Sequence, residues 1–398
     1  MKGLVKFFLL FLPIIILITF ISTPVLAEGI KVGVIIPLTG KLAKFGDIES
    51  NSFQMAVDEI NEMGGINGKK IELIIEDTKG IPEIGRSATE KLISQDKVVI
   101  IGGGYSSTVT WASIAVAQQH KVPFLVNTAS ADRITEQGWE YIFRLNPPVS
   151  EHSWAFKSFV KQVAMIKTAA ILHENSLFGQ FWTKKFIKQC WDLGIKVVMN
   201  EGYETEAIDF KPLLLKVKSK EPDLIYMISD MVDASLLMKQ SKELDLNPKL
   251  FLGHDAGFTH PELHHNAGDA SEYVCSATIW SPSVPYPRVR EYYENFVTKY
   301  DLFPDYHGAQ SYGAIYVIAD ALKRAKSLTP EDVKDALANT NIMTVFGPVK
   351  FISYGKKTQQ NRLPTYLVQW LDGKLETIWP SNVATARYVY PAPEWSER

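Results

Sequence analysis

Two loops gather hydroxyl groups at spacings that suit a small anion. Tyr105, Ser106 and Ser107 separate an apolar run from a helical pattern, and Thr128, Ser130 and Asp132 stand at the next such junction. If the runs are parallel strands, both loops lie outside strand carboxyl ends, where open α/β sheets hold ligands. Helix N-termini there offer unpaired N–H groups and a positive dipole end, which suit a carboxylate. Ser and Asp at these positions are also ordinary helix caps. A capping role for one does not exclude a ligand role for its neighbour. Asp255 follows the run Leu250 to Leu252 and Gly253, again at a strand's carboxyl end. An acid there can meet an ammonium group that closure would otherwise desolvate, or it is a surface loop acid.

Other chemistry is thinly supported. Gly102-Gly103-Gly104 follows a strand and precedes a helix. It lacks the spaced third glycine and downstream acid of a dinucleotide site, so it reads either as a phosphate cradle or as a tight turn near a cleft. His254, His260, His264 and His265 are crowded, and His260 and His264 at helical spacing could hold a metal. Pro261 makes His260 more a cap than a helical residue, and the alternative is solvated loop histidines. No Gly-x-Ser-x-Gly, Gly-x4-Gly-Lys-Ser/Thr or His-Glu-x-x-His motif occurs. The expectation is a binding protein rather than an enzyme, with no cofactor and no metal.

The elements that must position these residues alternate regularly. Strands are expected at 31–36, 71–76, 98–101 and 123–126, with helices at 47–61, 81–94 and 108–119 between them. A second set follows: helix 153–163, strand 168–172, helix 178–193, strand 195–199, helix 209–219, strand 223–228, helix 231–244 and strand 249–252. Strands this apolar, alternating with helices, belong to parallel sheets covered on both faces. The tail reads as helices 287–300, 310–326 and one opened by Thr329-Pro330, then strand 349–352 and a hairpin across Asp372-Gly373. Three helices after two such sets suggest that the chain returns to the first.

The N-terminus reads as an export signal. Lys2 and Lys6 precede an apolar run from Phe7 to about Phe20, then Pro24 and Val25-Leu26-Ala27 ahead of Glu28. Cleavage after Ala27 is expected, and the alternative is an uncleaved anchor helix. No cysteine lies near Ala27 for a lipid anchor. Removing 1–27 takes two lysines and no acid, moving the formal charge from −2 to −4. That argues against a nucleic-acid surface, which needs clustered Lys and Arg. Cys190 and Cys275 are expected as separate buried thiols, with pairing as the alternative in an oxidising compartment.

Residues in order now carry a likeness: Pro37-Leu38-Thr39-Gly40, Ala43, Phe45-Gly46, Ala56 to Asn61 and Gly64-Gly65-Ile66-Asn67-Gly68. It continues through Asp77, Gly102-Gly103-Gly104, Ser107, Pro123, Thr128 to Thr135, Gly138, Phe143-Arg144, Phe178-Gly179 and Phe251-Leu252-Gly253. Together they resemble the leucine/isoleucine/valine-binding proteins, type I periplasmic solute-binding proteins of ABC transporters. The resemblance implies two doubly wound α/β lobes joined by three crossover strands, near Arg144, Trp280 and Phe351. Lobe 1 would comprise 28–144 and 281–350, and lobe 2 145–280 and 351–398. It further implies hinge closure on an amino acid or similar organic ligand, such as an organic acid or amide, and a membrane permease as partner. Ser107, Thr128 and Ser130, beside Tyr105 and Ser106, match positions that hold a ligand carboxylate, and Phe45 an aromatic lining position. Phe178 matches a position often tyrosine, Asp255 the acid that receives the ammonium group, and Asp230 another cleft position with poorer alignment. A sensor of the same fold serving a membrane receptor, or an exported metal-dependent hydrolase, are the competing readings.

Overall fold

The computed structural model describes residues 29–40, 42–204, 207–254 and 256–398, and of Leu177, Phe178 and Ala256 the backbone only. The export segment and Asp255 therefore lie outside the described residues.

The first βα set builds β1 (Ile30–Ile36), α1 (Ala43–Glu62), β2 (Ile71–Asp77), α2 (Pro82–Ser94), β3 (Ile100–Gly103), α3 (Ser107–Gln119), β4 (Phe124–Val126) and β5 (Ile142–Arg144). The second builds α4 (Trp154–Gln162), β6 (Thr168–Glu174), α5 (Leu177–Leu193), β7 (Lys196–Tyr203), α6 (Lys211–Lys218) and β8 (Leu224–Ile228). It continues with α7 (Met231–Glu243), β9 (Leu250–His254), α8 (Ala256–Thr259), α9 (Glu262–Ala267) and β10 (Cys275–Thr278). The tail supplies α10 (Val289–Tyr300), α11 (Tyr306–Arg324), α12 (Pro330–Ala338), β11 (Asn341–Thr344), β12 (Gly347–Tyr354), β13 (Lys357–Asn361), β14 (Tyr366–Leu371) and β15 (Lys374–Trp379).

These form two sheets. The first runs β11-β12-β13-β5-β4-β3-β1-β2 and the second β15-β14-β10-β9-β8-β6-β7. The central strands pair in parallel, while β11–β12–β13 and β10–β14–β15 add antiparallel edges. Both faces of each sheet are covered. On the first, Phe53, Ile315 and Ile318 join one core and Leu92 and Ile114 the other. On the second, Leu214 and Leu237 lie on one face, and Phe159 and Phe186 on the other. Burial on both faces explains why β8, Leu-Ile-Tyr-Met-Ile, is apolar throughout.

The chain crosses between the sheets after β5 and after β10. Helices α10, α11 and α12 then pack into the first sheet's core. The last crossing differs from the expected place near Phe351. Strands β12 and β13 stay in the first sheet, and the chain passes to the second between Asn361 and Tyr366. The reason is legible in the residues: β13 is Lys-Thr-Gln-Gln-Asn, with no apolar alternation to mark a strand. Its side chains bond inward instead: Gln360 Oε1 accepts from Arg144 Nε at 2.6 Å. Cys190 and Cys275 are both buried free thiols.

Candidate functional site

The strand ends of the first sheet are held by short polar contacts. Asp77, ending β2, accepts the N–H of Leu38 at 2.9 Å and the Thr39 hydroxyl at 2.5 Å, pinning the loop after β1. That loop leads into α1, whose first turn touches it. A Cβ on Gly46 would lie 2.0 Å from the Pro37 carbonyl oxygen, so only glycine allows the approach. Phe45, beside it, is thereby aimed at the sheet's carboxyl edge, where its ring stacks on Tyr105 at 5.2 Å. His307, at the start of α11, completes the group at 5.1 Å from each ring. Asp305 caps that helix and pairs with His307 Nδ1 at 2.8 Å.

The two hydroxyl loops meet as expected from their places. Ser107 Oγ accepts the Ala131 N–H at 3.2 Å, tying the loop after β3 to the loop after β4 and leaving the serine hydrogen to be donated. Ser106 is the N-cap residue of α3, with extended backbone and no side-chain capping bond. Tyr105, Ser106, Ser107 and Ser130 are all partly exposed. Thr128 is buried, and its hydroxyl points inward, donating to Glu49 Oε1 at 2.5 Å.

The second sheet offers a different surface. A cavity at the carboxyl ends of β8, β9 and β10 is lined by His152, Phe156, Trp182, Phe186, Tyr226 and His254, and also by Tyr306 of α11, which packs on the other sheet. The rings form a run: His152 to Trp182 at 6.4 Å, Trp182 to His254 at 4.2 Å, and Tyr226 to Phe186 at 3.8 Å. Burial pulls the pKa of His152 down to about 4, against the hydrogen bond to the Pro147 carbonyl and with a smaller push from Arg144. Burial and then the proximity of His152 bring His254 to about 3. Both rings are neutral at ordinary pH, so this wall is apolar and uncharged.

Among the expected site residues, Phe45, Tyr105, Ser106, Ser107, Thr128 and Ser130 gather at one edge of the first sheet. Asp230 stands two residues past the carboxyl end of β8. Its carboxylate caps α7, accepting the N–H groups of Val232 at 3.0 Å and Asp233 at 3.1 Å. Phe178 lies in the first turn of α5 by its backbone, and Asp255 follows β9 outside the described residues. The histidine cluster is dispersed in its contacts. His254 bonds Tyr226, while His264 meets Ser271 at 2.9 Å and stacks on Trp370. Among the described residues no three His, Cys, Asp or Glu side chains are grouped as a metal ion requires.

Sequence reasoning missed Glu49, His152, Trp182, Tyr226, Tyr306 and His307. Trp182 had a signal, since it stands four residues after Phe178 and shares its helix face. Tyr306 and His307 were hidden because α11 begins at Tyr306, not Gln310.

Comparison with known proteins agrees with this geometry. The periplasmic binding protein family profile matches residues 29–374. A Leu/Ile/Val-binding protein homolog of Brucella suis biovar 1 is 28% identical over 393 residues, covering 92% of this chain and 95% of its own. The branched-chain amino acid transporter substrate-binding protein LivJ of Streptococcus pneumoniae, in complex with isoleucine, superposes with a TM-score of 0.73. It is 26% identical over 92% of this chain and 100% of that one. An ABC-transporter solute-binding protein of Rhodopseudomonas palustris in complex with 3,4-dihydroxybenzoic acid shares the fold, with a TM-score of 0.72 and 23% identity over 93% and 99% of the chains. The chain belongs to the periplasmic binding protein family, in the company of Leu/Ile/Val-binding protein homologs.

Proposed function

We propose that this protein is the exported solute-binding component of an ABC importer, cleaved after Ala27, and that it closes on a small carboxylate such as an amino acid or a related organic acid. One observation carries the reading: a cavity whose rings belong mostly to the second sheet and its helices is also lined by Tyr306 from the first. A ligand held there binds the closed form better and shifts the population toward it. The lobes would be 28–144 with 281–361, and 145–280 with 362–398, following the sheets. The carboxylate would lie at the N-terminus of α3, against Ser106 and Ser107, with the body of the ligand on the Trp182–His254 wall. For a ligand bearing an ammonium group, Asp255 is its partner by sequence position. A membrane permease would take the cargo from the closed form.

A thermal-shift screen with amino acids, aromatic acids, amides and urea tests this. A cognate ligand at about a hundred times its Kd adds roughly 2.7 kcal/mol of stability. Small-angle scattering should then give a smaller radius with that ligand than without it. No stabilising carboxylate, or an unchanged radius at saturation, would defeat the proposal.

A further inference from the structure

Behind the hydroxyl loops lies a carboxyl group that the ligand site does not touch directly. Glu49, on α1, is wholly buried. Its Oε1 accepts from Thr128 Oγ1 at 2.5 Å and from Asn127 Nδ2 at 3.1 Å. The same amide nitrogen of Asn127 reaches Ser311 Oγ at 2.8 Å, on α11. Asn146, just past β5, donates to the Thr128 carbonyl, and accepts from Gln310 Nε2 at 2.8 Å. Gln360 of β13 donates to the Asn146 carbonyl at 2.8 Å. One buried network thus joins α1, the Thr128 loop, α11 and two of the segments that lead between the sheets.

This network holds acceptors in excess. Glu49 Oε2, Asn127 Oδ1 and Gln310 Oε1 are buried and without a hydrogen-bond partner among the described residues. An ionised carboxylate supplies only acceptors, whereas the acid form brings a donor. The charges that weigh most on Glu49 are His307 and Asp305 at the start of α11, and these are paired with each other. Its hydrogen-bond partners, Thr128 and Asn127, do not titrate. A charge on Glu49 would face His307, a cation that Asp305 also holds, and burial makes a charge that is only partly compensated costly.

Resting on the carboxylate site proposed above, we propose that Glu49 is a positioning residue that acts as a neutral acid: it orients the Thr128 hydroxyl and couples capture of a carboxylate ligand to uptake of a proton. By accepting the Thr128 hydrogen, Glu49 turns the oxygen's lone pairs away from itself and fixes that side chain. An anion arriving at Ser107 and the Thr128 loop then disfavours ionised Glu49 by like-charge repulsion, so the bound form holds the proton more tightly. Linkage makes the effect reciprocal, so the proton also strengthens ligand binding. Burial agrees with this, pushing the carboxyl up to about 7 against the pull of His307 and of the Thr128 and Asn127 hydrogen bonds.

Two measurements test it. The first needs no ligand: the infrared difference between the wild type and Glu49→Gln, followed with pH. A protonated-carboxyl carbonyl band is expected at about pH 6 and lost by about pH 8.5, and Thr128→Val should shift it by removing a donor. Absence of the band at the lower pH overturns the neutral acid, and an unshifted band in Thr128→Val overturns the positioning contact. The second is calorimetric titration with L-isoleucine and with 3,4-dihydroxybenzoate across the same pH range, in buffers of different ionisation enthalpy. Wild-type affinity should fall about three- to tenfold from about pH 6 to about pH 8, with net proton uptake on binding. In E49Q that dependence and the uptake should vanish, apart from any contribution of the His307–Asp305 pair. Wild-type binding that is flat with pH and matched by E49Q overturns the linkage. Failure of both probes to bind at any pH counts instead against the carboxylate reading, and the infrared result then decides Glu49 alone.

Discussion

The phenolic oxygen of Tyr226 lies 2.7 Å from His254 Nδ1, joining the middle of β8 to the end of the adjacent parallel strand β9. This bond orients an imidazole whose ring packs 4.2 Å from Trp182 on α5. It therefore sets the wall of the cavity as well as the end of β9. Tyr226→Phe keeps the ring and removes the bond. It should lower unfolding stability by about 1–3 kcal/mol, the cost of leaving a buried polar atom without its partner. Urea denaturation checks this, and a change below a few tenths of a kcal/mol would show that the bond is dispensable.

The same wall gives the protein an acid sensitivity with a defined sign. His152 and His254 are depressed to about 4 and about 3 by burial, while an unfolded histidine titrates near 6.5. Below about pH 6.5 the unfolded chain binds the protons first, so the stability these rings contribute is present above that pH and is lost as pH falls toward about 4 and about 3. Melting temperature measured from about pH 7 to about pH 4 should decline, and less steeply in His152→Gln with His254→Gln. Equal slopes in the variant and the wild type would exclude the histidines as the cause.

Much of this architecture was legible because burial on both sheet faces writes itself as apolar runs. Ile100-Ile101 and Leu224 to Ile228 announce their strands, and Gly194 in the left-handed conformation stops α5 where the pattern ends. The hydroxyl edge was legible too, because strand-to-helix junctions place Ser106 and Ser107 at a helix start whatever the tertiary details. What stayed hidden was held by polar contacts between distant residues. β13 is specified by Gln360 bonding Arg144 across 216 positions, and no local periodicity reports such a pair. Glu49 and Asp58 both lie on α1 and look alike in sequence. Packing alone makes the first a buried acid under Thr128 and the second a surface partner of Lys299.

Ser107→Ala separates the two roles of that hydroxyl. Its oxygen accepts the Ala131 N–H at 3.2 Å, so the fold should lose about 1 kcal/mol. If the hydroxyl hydrogen meets the ligand's carboxylate, affinity should fall by about ten- to a hundredfold as well, since hydrogen bonds to charged groups are worth about 1.5–3 kcal/mol. Denaturation and calorimetric titration of the same preparation read the two effects. Lost stability with undiminished carboxylate affinity would confine Ser107 to the loop contact.

Gln360 offers the most direct test of the polar junction between β13 and β5. Its Oε1 accepts from Arg144 Nε at 2.6 Å and from the Thr135 hydroxyl at 3.0 Å, and its Nε2 donates to the Asn146 carbonyl at 2.8 Å. Arg144 is fully buried. Burial draws its guanidinium down to about 10, partly offset by Asp132, and it remains charged at neutral pH. The remaining guanidinium contacts are neutral oxygens: the Ala131 carbonyl at 2.7 Å and the Thr135 hydroxyl at 3.0 Å. Gln360→Leu preserves bulk but strips a buried cation of an acceptor, and should cost about 2–4 kcal/mol, between the loss of one buried partner and the breaking of a buried pair. Gln360→Glu returns an acceptor to Arg144 and loses the donor to the Asn146 and Asn361 carbonyls, so its cost should be smaller than that of the leucine variant. Guanidinium chloride unfolding of the three proteins at neutral pH gives the comparison. A leucine variant within about 0.5 kcal/mol of the wild type, or a glutamate variant less stable than the leucine one, would show that this cluster is not what holds β13 to β5.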